Sequence, residues 1–511
     1  MGNRSSRLRR VSQWSAPWLL VSSLRWDYPL LAAGLIIGIL SLYWPLILDN
    51  ALMFVVGRDW LEGAVPYRDL FEQKTPFMFG VNALAVALFG AEAFSIRLLE
   101  LIWLAGISAV IYALFRDPEK PYRGLWGLSF FSLALSYWGT YVGFAAISET
   151  WCVGFVLISW LCLKSCSSDA GAYFLAGLFW SLSVAAKPPA VMFTPALLMA
   201  AYYRTPRIIR LMYLTGVAVL AGLIPWIVTF GYFYLAGALE DFNDIFFGLN
   251  RFYIEIAGAD YGKMGRRILG LFLGIHPFST VILAAFAFAA FRKPRSRTLW
   301  IILLFIQGAL GAVLIQKRLI MRSHPVMLTT FFSVMVTYTV TRLRLPPVWA
   351  AVVLAAAFCM SPQFEKARGV GVDSFMHMTG KMSRIKYMSR FNERMFPAVD
   401  VQRVGEWIRK NSGPEDLIAV RGYLPAVYII SGRKSASRHF WTLWLTMKDR
   451  TYRREEFLAG DLRQLIQNRP RYAVVLDNVR DGPDSAAYFG KVGDYARVFS
   501  SGNLVVLELK E

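Results

Sequence analysis

The chain has 511 residues, of which 56% are hydrophobic, and its mean hydropathy is +0.43. Several long runs carry no charge, which excludes a soluble globular protein and predicts a polytopic α-helical membrane protein. The net charge of +21 does not indicate nucleic-acid binding, because most basic residues lie in short loops between apolar runs, where they set orientation in the membrane.

The apolar runs predict about eleven membrane spans. We place these spans at residues 29–48, 95–115, 124–142, 150–164, 171–186, 189–203, 211–236, 267–290, 299–315, 324–340 and 347–361. Residues 1–28 begin MGNRSSRLRR, and no small-residue cleavage site follows them. They therefore predict a retained, basic cytosolic N-terminus.

The apolar segment from Thr75 to Phe89 decides the topology. It has only about 15 residues, which is short for a membrane crossing. If it does not cross, the basic loops all fall on the side of the N-terminus, as the positive-inside rule requires; if it does, they all move to the other side. We therefore predict a partly embedded helix within a first outer loop, residues 49–94, and an outward-facing C-terminal region. The basic loops in question lie at 116–123, 164, 204–210, 292–297 and 342–344.

Asp49 is the first charge after the first predicted span. A carboxylate there can simply anchor a helix end in water. The long loop that follows, with many charged residues among aromatics, favours instead a reaction site at the membrane surface. A part-buried carboxylate in such a site is expected to keep a raised pKa and to take a proton from a hydroxyl group, as a general base.

Two basic residues of the same loop are candidates for binding a lipid phosphate. Lys74 lies where the chain re-enters apolar sequence, at the level of the lipid headgroups. Arg58 has the same two interpretations, phosphate binding or an ordinary structural role. The structural role is snorkelling to the interface for either residue, or for Arg58 an ion pair with Asp59 or Glu62.

Glu149 and a basic cluster are further candidates on the predicted outer side. Glu149 precedes a span, so it is either a second carboxylate beside Asp49 or an acid favoured by a helix N-terminus. The sequence QKRLIMRSHPV places several cationic groups on the side that should be poor in positive charge. An anionic ligand such as a phosphate explains the cluster, and a wrongly placed helix boundary is the alternative. Its members are Lys317, Arg318, Arg322 and His324.

From residue 399 the composition becomes that of a soluble domain. VDVQRVGEWIRKNSG predicts an amphipathic helix, DLIAVRG a strand, LPAVYIISG and EEFLAGDLRQLIQNRP two more helices, and RYAVVLDN a second strand. RVFSSGNLVVLELK predicts a terminal hairpin. We thus expect an α/β domain over 399–511, joined to the membrane module 29–361 by a linker at 362–398.

The first outer loop resembles that of polyprenyl-phosphate-dependent glycosyltransferases of the GT-C fold, in the bacterial branch of lipid A aminoarabinose transferases and protein O-mannosyltransferases. The resemblance lies in a first-helix Asp followed by G-x-x-P-Y-R-D-x-F-E-x-K-x-P, and GYLPAVYIISGRKSASR in the C-terminal domain is similar to sequences of bacterial members. The matching loop residues are Asp49, Gly63, Pro66, Tyr67, Arg68, Asp69, Phe71, Glu72, Lys74 and Pro76.

The resemblance implies an inverting glycosyltransferase with a GT-C-like membrane module. Asp49 would deprotonate an acceptor hydroxyl, while Lys74, Arg58 and the cations at 317–324 would hold the donor phosphate. Many relatives carry two adjacent acids where this chain has Asp49-Asn50, so Glu149 is the candidate second acid. No metal ligand is assigned and no cofactor is required, although assistance by a divalent cation stays open.

These observations predict an enzyme of the bacterial inner membrane that moves a sugar from a polyprenyl-phosphate donor to a glycan, lipid or protein acceptor at the outer face. Membrane lipids are its other partners, and nucleic acid is not. The alternative is a transporter or flippase of a lipid-linked anionic glycan, which predicts charged residues at the middle of spans and broken helices. A scaffold with a membrane anchor does not need eleven spans.

Overall fold

The computed structural model describes residues 27–46, 48–117, 123–140, 147–256, 260–292, 294–316, 326–393, 396–442, 445, 452–476 and 485–510. The first half of the chain contains helices α1 to α9, with a 3-10 turn at Pro188–Phe193. These helices are α1 Tyr28–Leu40, α2 Asp49–Leu61, α3 Pro76–Phe89, α4 Ala93–Phe115, α5 Leu125–Thr140, α6 Ser148–Ser165, α7 Asp169–Ala186, α8 Thr194–Arg204 and α9 Ile208–Leu235.

The rest of the membrane module continues as helices, with a π-helical stretch at Asn243–Leu249. They are α10 Leu239–Phe242, α11 Asn250–Glu255, α12 Tyr261–Gly274, α13 Phe278–Arg292, α14 Arg297–Leu314, α15 Val326–Leu343, α16 Pro347–Cys359, α17 Phe364–Met378 and α18 Arg384–Met388, followed by a 3-10 turn at Ser389–Phe391. The segment 362–398, predicted as a linker, therefore contains helical structure.

Five described helices are long and apolar enough to cross a membrane by length and composition, namely α4, α7, α9, α14 and α15. Two bent pairs, α12 with α13 and α16 with α17, raise that number to as many as seven if each pair is one span. Eleven spans are thus not confirmed, but a helical protein with several apolar spans is. The bends are 97° and 99°. The first lies inside the stretch 267–290, which hydropathy alone joins into one span, and the second lies at the end of the predicted span 347–361.

Helix α15 lies at the centre of the bundle and packs against α5 through hydroxyl-bearing side chains. Ser132 Oγ donates to Ser333 Oγ at 3.0 Å, and the hydroxyls of Tyr137 and Thr330 lie 2.7 Å apart. Hydroxyl groups of this kind let helices approach closely and bond to each other where water is absent.

The first predicted span is shorter than expected. Helix α1 ends at Leu40 rather than continuing to residue 48, and Pro45 lies in the connection that follows, where it disfavours helical backbone at the preceding residue. Asp49 therefore begins helix α2 instead of ending α1. Helix α2 is almost wholly buried and packs on α3 at Gly57, where an added Cβ would lie 2.7 Å from the Ala83 nitrogen.

The C-terminal domain is built around one five-stranded sheet in the order β2-β1-β3-β5-β4. Strand β1 pairs in parallel with β2 and β3, and β5 pairs antiparallel with β3 and β4. The predicted helices, strands and terminal hairpin are all confirmed. The elements are α19 Ala398–Asn411, β1 Leu417–Val420, α20 Ala426–Ser431, β2 Lys434–Ser435, α21 Arg454–Asn468, β3 Tyr472–Leu476, α22 Ser485–Phe489, β4 Tyr495–Ser501 and β5 Leu504–Leu509.

Candidate active site

Asp49 and Lys74 meet at the start of two helices. Asp49 is the first residue of α2, and Lys74 lies two residues before α3. The Lys74 Nζ atom is 2.8 Å from Asp49 Oδ2, and the side chains keep 30% and 39% of their surface exposed, respectively. A helix N-terminus favours a negative charge, so both the backbone and the lysine stabilise the Asp49 carboxylate. The two strongest sequence candidates thus form one accessible ion pair.

The backbone before Asp49 is in an unusual conformation. Leu48 has φ +47° and ψ −122°, a region that a leucine rarely adopts. Strained backbone of this kind is maintained only where the surrounding structure fixes it, and it concentrates at functional sites. Here it redirects the chain into α2 and places the carboxylate at the exposed end of an otherwise buried helix.

The charge state of Asp49 differs from the expectation. Burial raises the pKa of Asp49, but the charge and hydrogen bond of Lys74 and a hydrogen bond from Tyr423 outweigh it, so the pKa lies below its usual value. Burial likewise lowers the pKa of Lys74, yet the nearby carboxylates of Asp49 and Glu72 raise it overall. The prediction of a raised pKa for Asp49 is therefore wrong, because the neighbouring cation stabilises the ionised carboxylate.

Glu72 is the second carboxyl group beside this pair, and it is only 1% exposed. Its Oε1 accepts a hydrogen bond from the Lys74 backbone N–H at 3.1 Å, and its Oε2 has no hydrogen-bond partner among the described residues. Burial, together with the charge of Asp49, raises the pKa of Glu72 to about 8. The loop thus holds one ionised and one predominantly neutral carboxyl group at pH 7.

Glu149 and Lys187 form a second ion pair near the first. Glu149 lies in the first turn of α6 and is 2% exposed, and it bonds to the ammonium group of Lys187 at the end of α7. The hydroxyl of Thr75 donates to the Ala186 carbonyl at 3.3 Å, which joins the loop to the end of α7. The charge of Lys187 also lowers the pKa of Asp49. Glu149 therefore lies in the same region as Asp49, paired with a cation.

The loop residues that carry the resemblance make structural contacts between Asp49 and Lys74. The Tyr67 hydroxyl donates to the Lys74 carbonyl at 2.7 Å, and the ring is fully buried. Arg68 binds both carboxylate oxygens of Asp69 at 2.9 Å, and Asp69 accepts a hydrogen bond from the Val65 N–H at 2.7 Å. These contacts fold the loop into a compact turn that positions Lys74.

Arg58 lies apart from this cluster. About nine helical residues, or some 13 Å along the axis of α2, separate it from Asp49. Its guanidinium group pairs with Asp59 at 2.7 Å and donates to the carbonyls of Tyr428 and Arg433 at 3.0 and 3.1 Å. These contacts hold α2 against the C-terminal domain, and none of them involves the Asp49 region.

The predicted basic cluster lies outside the described residues. This applies to all four of its members, Lys317, Arg318, Arg322 and His324. Within the part of the chain that the structure describes, no three Asp, Glu, His or Cys side chains come together as ligands for a metal ion.

Tyr423 was not anticipated from the sequence. Its hydroxyl donates a hydrogen bond to Asp49 Oδ1, although 374 positions separate the two residues in the chain. The only available signal was its place just beyond β1, since the carboxyl ends of parallel strands often carry functional side chains.

Almost the whole chain resembles a solved structure in its fold. ArnT from Cupriavidus metallidurans bound to undecaprenyl phosphate superposes with a TM-score of 0.59 over 96% of this chain and 98% of its own, at 14% identity. The apo state of the same protein superposes with a TM-score of 0.56 over 95% of this chain and 98% of its own, at 14% identity. No family model and no curated protein sequence matches this chain. The likeness confirms the predicted resemblance at the level of the fold, including the C-terminal domain.

Proposed function

We propose that this chain is an inverting glycosyltransferase that moves a sugar from a polyprenyl-phosphate donor to an acceptor hydroxyl at the outer face of a membrane. The observation that carries the proposal is the accessible Asp49–Lys74 pair, which sets a carboxylate next to a cation on a loop between apolar helices. A lipid phosphate as the donor group is supported by the ArnT structure, which has this fold and is bound to undecaprenyl phosphate.

In the proposed reaction Asp49 accepts the proton of the acceptor hydroxyl. The acceptor oxygen attacks the anomeric carbon of the sugar from the side opposite the phosphate, and the bond from that carbon to the phosphate oxygen breaks. Because the pKa of Asp49 is low, its proton transfer accompanies the attack, when the hydroxyl becomes acidic. Polyprenyl phosphate leaves with the electron pair of the broken bond.

The cations act on the leaving group. Negative charge grows on the phosphate oxygen as its bond to the sugar breaks, so a cation beside it stabilises the transition state more than the ground state. Lys74 is placed for this role, and Lys187 lies close enough for its charge to affect Asp49. Glu149 then acts by holding Lys187 in place.

The distribution of charge supports a bacterial inner-membrane protein with the reaction site on the side opposite its basic loops. The similar solved structures give no support to the transporter alternative, although the bent pairs α12–α13 and α16–α17 are broken helices of the kind that it predicts. The buried charges of helix α4, Arg97 and Glu100, lie toward its first turns, and Arg97 donates to the Pro45 carbonyl in the connection that precedes Asp49.

The test is a transfer assay with purified protein. The protein in detergent is incubated with a panel of polyprenyl-phosphate sugars and with glycan, lipid and protein acceptors, and released polyprenyl phosphate is measured. We expect acceptor-dependent release for one donor class, with inversion at the anomeric carbon of the product. Transport of a lipid-linked glycan by liposomes containing the protein, with no sugar transfer from any donor, would contradict the proposal.

A further inference from the structure

Several hydrogen bonds hold the C-terminal domain against the first outer loop. The Phe71 N–H donates to the Arg438 carbonyl at 2.8 Å, and Arg438 Nη2 donates to the Tyr67 carbonyl at 2.5 Å. The Trp441 indole N–H donates to the Phe71 carbonyl at 3.0 Å. The loop that carries Lys74 and the segment 438–441 of the domain therefore form one continuous hydrogen-bonded unit.

This unit fixes the direction of Tyr423. Gly422, with φ +103°, makes the turn after β1, and its N–H donates to Thr442 Oγ1 at 2.7 Å. The Thr442 N–H returns a bond to the Gly422 carbonyl at 3.1 Å. The Tyr423 ring packs on Trp441 with 5.2 Å between ring centroids. Tyr423 is thus held by the domain on one side and, through Trp441, by the outer loop on the other.

The Asp49 carboxylate has a separate donor for each oxygen. Lys74 binds Oδ2 from the outer loop, and the Tyr423 hydroxyl binds Oδ1 from the domain. Two donors from different elements fix the plane of the carboxylate, while 39% of the side chain stays exposed for an acceptor. Burial, followed by the charge of Asp49, raises the pKa of Tyr423, so its hydroxyl keeps the proton that it donates.

We propose that the C-terminal domain completes the reaction site by placing the Tyr423 hydroxyl on Asp49, where Tyr423 serves as the positioning residue for the base. This inference rests on the proposed function, because it gives Asp49 the role of base. In this proposal the C-terminal domain contributes a residue to the reaction site. Loss of the hydroxyl removes the donor to Oδ1 while Lys74 stays on Oδ2, so the plane of the carboxylate is less firmly fixed and the group is easier to protonate.

The other groups around Asp49 do not depend on Tyr423. Lys74 and Glu72 face the carboxylate from the outer loop, and Lys187 faces it from the end of α7. Tyr253 of α11 lies near Lys74. Since these stay in place, removing the Tyr423 hydroxyl changes one contribution, and the pKa of Asp49 is expected to rise.

The experiment compares Tyr423→Phe with Tyr472→Phe in the full-length protein. Tyr472 is a matched control, because its hydroxyl likewise bonds a carboxylate, that of Glu508, together with the Asn411 carbonyl, but lies away from Asp49. A lost hydrogen bond to a charged group predicts a fall in kcat of about ten- to a hundredfold for Tyr423→Phe, with little change in the donor KM. The deficit should deepen as the pH is lowered from 7 to 4, while Tyr472→Phe behaves as the wild type.

Two results would overturn the inference. One is a wild-type kcat for Tyr423→Phe; the other is a deficit that is constant with pH, which indicates a purely structural role. Asp49→Asn separates this inference from the proposed function. If the wild type transfers no sugar, the proposed function fails, and if Asp49→Asn retains turnover, its role as base fails. If the wild type is active, Asp49→Asn is inactive and Tyr423→Phe matches the wild type, only the role of the domain fails.

Discussion

Replacing Glu72 with glutamine tests the electrostatics of the site without touching its exposed pair. Glu72 is 1% exposed, and one of its carboxyl oxygens has no partner among the described residues. Burial raises its pKa from an ordinary 4.5 to about 8, so folding favours the protonated form. Glutamine has nearly the same shape and stays neutral at every pH.

The raised pKa sets the direction and size of a pH effect on stability. Because the native state binds this proton more tightly than the unfolded state, the stabilisation is complete below pH 4.5 and is lost as the pH rises to about 8. Each pKa unit corresponds to ~1.4 kcal/mol, so the full loss is about 5 kcal/mol. Glu72→Gln removes this loss, and the variant should gain on the wild type as the pH rises.

The measurement is the unfolding temperature of the detergent-solubilised protein between pH 5 and pH 9. We expect the wild type and Glu72→Gln to be similar at pH 5 and the variant to unfold at a higher temperature at pH 9. Glu62→Gln is the control, because Glu62 is 47% exposed and pairs with Lys434. Parallel curves for the wild type and Glu72→Gln would refute the reasoning.

Two further substitutions separate binding from architecture. Lys74→Ala removes the cation beside Asp49, so we expect the donor KM to rise about ten- to a hundredfold with a lower kcat, while Lys434→Ala changes neither; an unchanged donor KM and kcat would remove the assignment. Arg58→Ala leaves Asp59 buried without its cation, so we expect a loss of about 3–5 kcal/mol in stability, seen as a lower unfolding temperature and partly recovered by adding Asp59→Asn. An unfolding temperature equal to that of the wild type would contradict the role of Arg58.

The C-terminal domain could be predicted element by element because its signals are local. Apolar runs bounded by turn residues predicted β1 and β3, and RVFSSGNLVVLELK predicted the hairpin, whose turn contains Gly502 with φ +53°. The pairing order of the strands was not predicted, since it depends on contacts between residues far apart in the chain.

The sequence placed Asp49 and Lys74 in one outer loop, but their ion pair was not predicted. Hydropathy did not show that Asp49 begins a helix, since the run from Pro29 to Leu48 stays apolar across the break near Pro45. The contact with Tyr423 depends on how a distant domain docks on the loop. A pattern read along the chain carries no information about such docking.

The most direct test of the proposed chemistry is release of polyprenyl phosphate by Asp49→Asn. Asparagine keeps the shape of the side chain but cannot take the proton of the acceptor hydroxyl. An unfolding temperature close to that of the wild type shows that the variant protein is folded. We predict that acceptor-dependent release is abolished in a single-turnover assay at saturating donor. Turnover at the wild-type rate would show that Asp49 is not the base.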